Sequence, residues 1–268
     1  MKQALGQLPN APLIYVLAQI LFTRVPKMED IWEDLHQRVF DSYPESEVER
    51  VEQFAMKTDG LEASKETRWH LFARDRRKGV ILSSNALILH TTSYTTSKDF
   101  FADLGFVLGH LAEVLPSGIQ VNRLGLRYID LLLPPRGELD IDRQVVDKLG
   151  ILNFEPLNCK PMRFDRVDRY KTEIGGELIL QHRQTMSKDV LPSDLFPNML
   201  KPAPLLEIPK PENVMVGLLD FDHFLKTDMP MEQARITEMF RQLQKTTSAA
   251  FSEATTPAAM RLWKEIQQ

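Results

Sequence analysis

An α+β fold, a mainly antiparallel curved sheet with helices packed on one face and two similar-sized halves, is predicted by three observations. Strand-like and helix-like runs do not alternate one to one, as a doubly wound parallel sheet would require. The stretch Ile119 to Leu133, IQVNRLGLRYIDLLL, reads as one long strand. Each half closes with a strand followed by a long amphipathic helix.

The elements follow from local patterning. Leu13 to Phe22 is apolar enough for a buried strand, and Pro26 closes it. Met28, Ile31, Trp32, Leu35, Val39 and Tyr43 recur at helical spacing, with Pro44 as a stop. A charged connector leads to three short strands, Thr67 to Arg74, Gly79 to Ser83 and Ala86 to Tyr94, turned at Lys78-Gly79 and Ser84-Asn85. Ser97 is positioned to cap a second helix, whose stripe is Phe100, Phe101, Leu104, Val107, Leu108, Leu111 and Leu115 before Pro116. Gly105 and Gly109 share one face, which is expected to bring this helix close to the sheet. The strand through Arg123 and Arg127 then runs to Pro134-Pro135.

In the second half, Ile141 to Leu149 reads as a short helix, and Met162 to Lys171 with Glu177 to Thr185 as a hairpin across Gly175-Gly176. Pro192, Pro197, Pro202, Pro204, Pro209 and Pro211 mark an irregular connector crossing a surface. Val214 to Phe224 is a last strand. Ile236, Met239, Phe240, Leu243, Thr247, Ala250 and Phe251 mark a long amphipathic helix. Thr256-Pro257 opens a final one that packs Met260 and Trp263. The halves divide at 1–135 and 136–268, the second carrying the connector 190–211, and are expected to pack as one unit. No internal repeat is visible in the residues.

Composition narrows the function. A chain of 268 residues, 43% of them hydrophobic and 26% charged, buries a sizeable core. A net charge of -4 and a pI near 5.9 oppose general nucleic-acid affinity, which rests on a basic face. The apolar run Leu13 to Phe22 is too short to span a bilayer and lacks a small-residue cleavage site after it, so a cytoplasmic protein without membrane contact is expected. The single cysteine, Cys159, allows no intramolecular disulfide and no cysteine-rich zinc site.

The long strand carries the main chemical candidate. Alternation puts Val121, Arg123, Gly125, Arg127 and Ile129 on one face and Asn122, Leu124, Leu126, Tyr128 and Asp130 on the other. Arg123 and Arg127 stand about 13 Å apart along the strand, with Gly125 between them. Their guanidinium forks suit an anion or an acidic partner side chain. The plainer reading pairs each arginine with an acidic neighbour across the sheet. Asp220 and Asp222 share a face of the last strand, as a cation site or an acid and base pair requires, but further ligands are not evident and pairing with Arg123 and Arg127 is the simpler expectation. Trp69 beside Arg74, Arg76, Arg77 and Lys78 resembles a basic hairpin tip that contacts single strands, although a solvated turn is commoner. The charged run Arg163 to Glu173 alternates as the lining of a triphosphate-processing tunnel would, yet a charge-protected sheet edge fits its irregular register better. The six histidines lack metal-ligand spacing, and no nucleophile elbow, phosphate loop or dinucleotide fingerprint is present. No metal or other cofactor is predicted.

The segments PNAPLIYVLAQILF, LILHTTSYTTSKDFFADL, NRLGLRYIDLL, LLDFDHF and FSEATTPAAMRLW together resemble a sporadically distributed family of uncharacterised bacterial proteins of similar length. The residues that carry the likeness are Pro12-Leu13, Arg123, Gly125, Arg127, Tyr128 and Thr255-Thr256. One departure is Ile14-Tyr15 where the family pattern has an acidic residue, so no role for that acid carries over. The resemblance implies an accessory factor of a mobile gene cluster, defence or toxin systems included. The expected function is binding of another protein, as adaptor, inhibitor or immunity-like factor, through Arg123, Arg127, Tyr128, Asp220 and Asp222. The alternatives are an anionic small molecule or nucleotide bound through the same arginines, and nucleic acid bound through residues 68–78.

Overall fold

The structure, a computed structural model, describes residues 10–57, 60–134, 144–146, 149, 162–185, 191–192, 200–207 and 215–264, with only the backbone described over 52–64. The elements are β1 (Leu13–Phe22), α1 (Met28–Val39), β2 (Glu45–Lys57), β3 (Gly60–Phe72), β4 (Lys78–Ser83), β5 (Ala86–Thr91), α2 (Ser97–Val114), β6 (Gln120–Leu132), β7 (Arg163–Lys171), β8 (Glu177–Thr185), α3 (Pro204–Glu207), β9 (Val216–Pro230), α4 (Gln233–Ala254) and α5 (Pro257–Lys264). All nine strands form one open antiparallel sheet in the order β2-β3-β4-β5-β1-β6-β9-β8-β7.

The strand order contains a repeat that residue patterning does not show. With the halves divided before β6 instead of at residue 135, the first runs outward from the centre as β1, β5, β4, β3 and the second as β6, β9, β8, β7, and the last strand of each in chain order leads into a long helix, α2 or α4. The halves join where β1 pairs with β6, so backbone hydrogen bonds make them one sheet. Among the described residues no helix is long and apolar enough to cross a membrane.

The charged connector after the first helix is in fact β2 and the first part of β3, two 13-residue strands paired as a hairpin. Its charges alternate at strand period. Glu45, Glu47 and Glu49 share one face and meet Arg76, Arg68 and His70, so the positions on this face are polar and the apolar signal of a strand is missing. The last strand runs on to Pro230, past Phe224, and β5 stops at Thr91, short of Tyr94. Most of Ile141 to Leu149 and of the proline-rich connector, and Cys159, lie outside the described residues.

The cap of α2 is Thr96, one residue before the expected Ser97. Its extended backbone (φ -136°) and its Oγ1, which accepts from Asp99 N at 3.1 Å, satisfy one of the free N–H groups of the first turn. Thr96 Oγ1 also lies 2.7 Å from Asp99 Oδ2, and that bond holds the Asp99 carboxyl below the usual carboxylate range. Thr96→Ala is expected to cost about 1 kcal/mol in urea unfolding, with Ser97→Ala near neutral.

Four helices cover one sheet face. Val16, Ala18, Ile20, Leu124, Leu126 and Leu225 pack under α1, α2 and α4, while Leu132, Leu219 and Phe221 form the adjoining core with Trp263 of α5. Gly105 and Gly109 face α4, not the sheet: a Cβ on either would meet the Gln233 side chain at 3.3 Å, and Gln233 Nε2 donates to Gly105 O at 2.8 Å. The two glycines thus let the closing helices of the two halves approach each other.

The opposite face is covered over part of its area. Leu200, Ala203, Leu205 and Leu206 of the connector and α3 lie on Tyr15, Phe72, Ile129, Leu131 and Leu218. Lys201 N donates to Arg76 O at 2.7 Å, Thr92 Oγ1 to Lys201 O at 2.6 Å and Arg77 Nη1 to Pro202 O at 2.6 Å, which ties the connector to the first half. Beyond this strap, Leu21, Gln19, Ile88, Arg123, Phe224 and Ile179 remain half-buried on the same face.

Candidate binding face

Strand register assembles the candidate site. Across β1, β6 and β9, cross-strand neighbours are Leu21, Arg123 and Lys226, then Gln19, Gly125 and Phe224, then Leu17, Arg127 and Asp222, then Tyr15, Ile129 and Asp220. Directly opposed side chains share a face. The register therefore brings Arg123, Arg127, Asp220 and Asp222 together on the face away from the long helices.

The two arginines have different surroundings. Arg127 forks onto Asp220, Nε donating to Oδ1 at 2.9 Å and Nη2 to Oδ2 at 2.6 Å, and the Asp220 side chain is only 5% exposed. This bidentate pair fixes register and leaves Asp220 no open side for a metal. Arg123 donates from Nη1 to Gln19 Oε1 at 2.6 Å, while its Nη2 stands 3.8 Å from Asp222 Oδ2, beyond hydrogen-bond length. Its guanidinium carbon lies 4.4 Å from the Phe224 ring centroid. Gly125 makes this possible: a Cβ there would stand 2.8 Å from Arg123 Nη1. The gap between the arginines is filled by the guanidinium of Arg123 itself, held flat on Phe224.

Two residues stand apart from the arginine face, Tyr128 because it keeps the opposite face that alternation gave it and Val121 because it leaves the face that alternation gave it. Tyr128 is buried on the helix side, edge-on to Tyr94 with centroids 5.8 Å apart, and burial pushes its hydroxyl well above the ordinary tyrosine range. A bulge between Val121 and Arg123 breaks the alternation, so Val121 packs in the helix-side core with Leu124 and Met229 instead of beside Arg123.

The basic hairpin tip is dispersed by its own contacts. Trp69 is 5% exposed and stacks on Trp32, so its ring is not available to a base. Arg76 pairs with Glu45 and Glu47, Lys78 with Asp103, and Arg77 holds the connector carbonyl, while Arg74 is exposed. The charged strand β7 is the outer strand of an open sheet and lines no tunnel. Arg163 and Arg183 meet Asp165, Arg166 meets Asp168, and Arg169 meets Glu177. Among the described residues no group of three His, Cys, Asp or Glu side chains is arranged to hold a metal.

Buried polar groups flank the site. His90 shares a 2.9 Å hydrogen bond between Nδ1 and the Tyr15 hydroxyl, and full burial pushes its imidazole down to about 3, so it is neutral at neutral pH. His70 is lowered by burial too, against the opposing hydrogen bond to Glu49. Burial, with the Asp220 charge adding to it, pushes the Asp130 carboxyl up to about 8.

Sequence reasoning missed Gln19, Phe224 and Lys226. Gln19 had a signal, as the one amide in the apolar run LIYVLAQILF, whereas Phe224 and Lys226 meet Arg123 only through the pairing of β6 with β9. Comparison with known proteins returns no match, either to a described protein family or to a curated protein.

Proposed function

We propose that this chain is an accessory protein-binding factor that takes an acidic segment of a partner on the half-exposed sheet face around Arg123. One observation carries the reading: Arg123 is stacked and oriented by Phe224 and Gln19, yet its remaining carboxylate contact is a loose 3.8 Å. A planar guanidinium held in advance loses little entropy on meeting a partner's carboxylate. Lys226, exposed and directly across from Arg123, adds a second cation, while Leu21, Phe224 and Ile179 supply apolar area around them. A binding surface with a few oriented charges among half-buried apolar residues suits a protein segment. The resemblance to the sporadic bacterial family implies an accessory factor of a mobile gene cluster, a setting with which a protein-binding role is consistent.

The pair of cations favours a second reading, an anionic small molecule such as a nucleotide, held by the same two side chains.

Affinity purification from the native host, with crosslinking to place contacts, separates the two readings. A stoichiometric partner crosslinked near β6 and lost in Arg123→Ala, in a variant that melts normally, is the expected result. A partner retained by Arg123→Ala removes the proposal. A melting temperature raised by nucleotides in the wild type and not in Arg123→Ala replaces it with the small-molecule reading.

A further inference from the structure

One segment of the chain carries a marked local excess of negative charge. Between Met28 and Asp41, Glu29, Asp30, Glu33, Asp34 and Asp41 stand against Arg38 alone, a formal charge of -4, equal to that of all 268 residues. The rest of the chain is balanced. Arg38 pairs with Glu113 of α2, and among the described residues the five carboxylates make no ion pair. Acidic residues in a first turn are explained by the helix dipole, but that accounts for Glu29 and Asp30 and not for Glu33, Asp34 or Asp41.

The same helix carries an aromatic ladder that reaches the surface. Trp69 of β3, then Trp32, His36 and Phe40, follow with ring centroids 6.4, 5.0 and 5.5 Å apart. His36 is steadied by a 3.2 Å hydrogen bond between Nε2 and the Tyr43 carbonyl. The ladder ends at Phe40, 52% exposed, and Val48 of β2, which lies opposite Trp69, is exposed to the same degree. Glu29, Glu33, His36 and Phe40 fall at i, i+4, i+7 and i+11, one stripe of α1 continued through its C-cap.

We propose that this stripe binds a basic, arginine-bearing segment of a partner protein, with a guanidinium on the exposed Phe40 ring and the segment's further basic side chains toward Glu33 and Glu29. An apolar partner covering Phe40 would desolvate Glu33 without pairing it, which is costly. A lysine would pair but remain strongly hydrated, whereas arginine serves in both places, stacking on the ring and pairing with the carboxylates. The local excess of negative charge steers such a segment toward the helix. The surface is separate from the Arg123 face and does not depend on that reading.

A synthetic arginine-rich amphipathic peptide, titrated by calorimetry at low and high salt, tests this. The wild type is expected to bind it with an affinity that falls as salt rises, and a lysine version is expected to bind more weakly. Phe40→Ala and the Glu29→Gln, Glu33→Gln double variant are each expected to bind about tenfold more weakly, with unchanged melting because the positions are exposed. No binding by the wild type at low salt overturns the proposal. So does full binding by Phe40→Ala, which would reduce the effect to unspecific charge attraction. A wild-type dimer in ultracentrifugation that Phe40→Ala dissolves overturns it in favour of a second copy as occupant.

Discussion

Arg127→Ala is expected to destabilise the protein by about 3–5 kcal/mol, the cost of leaving a buried carboxylate without its partner. The guanidinium fills both Asp220 oxygens at 2.9 and 2.6 Å, and Asp220 is too deeply buried to recruit water in exchange. For a domain of this size the loss corresponds to a melting temperature lower by on the order of 10 °C. The double variant Arg127→Met, Asp220→Leu is expected to recover most of it, because an apolar pair of similar volume carries no uncompensated charge. Arg123→Ala, by contrast, removes one hydrogen bond and a stacking contact at a half-exposed position, and a loss of about 1 kcal/mol is expected. Thermal unfolding of the three variants checks this ranking. Equal losses for the two single arginine variants would show that the division between a structural and a presented arginine is wrong.

Stability is expected to fall as pH rises from about 4 to about 8, through Asp130. Its folded value of about 8 lies above the ordinary carboxylate value of 3.8, so across that window the folded protein holds a proton that the unfolded chain has released. Below the unfolded value both states are protonated and the contribution is fully favourable, and above the folded value the buried charge is paid for in full, on the order of several kcal/mol. Asp130→Asn removes the ionisation. Its advantage over the wild type is expected to grow between about pH 4 and pH 8, to level off above that and to vanish at the acid end. A difference between the two proteins that does not change with pH would mean that Asp130 is solvated or paired as an ion.

Much of the architecture was legible before the structure. Leu13–Phe22 was bounded to the residue, because a run that is apolar but for Gln19 begins after Pro12 and gives way to Thr23 and Arg24 before Pro26. The stripes of α1, α2 and α4 were legible through their 3.6-residue period. The hairpin of β2 and β3 was not. Its strand period is written in glutamates whose arginine partners sit on the next strand or in the turn after it, and charge alternation alone does not separate a paired sheet surface from a solvated connector. The bulge at Val121 was equally hidden, since it follows from the path of the neighbouring strands: β6 carries one residue more than β1 there, and β9 one more than β6.

The candidate site divides in the same way. That Arg123 and Arg127 share a strand face with Gly125 between them followed from alternation, and so did the shared face of Asp220 and Asp222. Which carboxylate meets which arginine, and that one pair closes while the other stays loose, depended on β6 and β9 being neighbours in a register that sets Arg127 against Asp222 and Ile129 against Asp220. By itself the sequence determined the periodic elements, the acidic surface of α1 and the residue types available to each face, because these are local properties of spacing and composition. The tertiary structure decided the order of the strands, the meeting of α2 with α4 at Gly105 and Gly109, the burial of Trp69 and the exposure of Arg123. Each of these is a pairing between segments far apart in the chain, selected by the total area buried and the charges satisfied together.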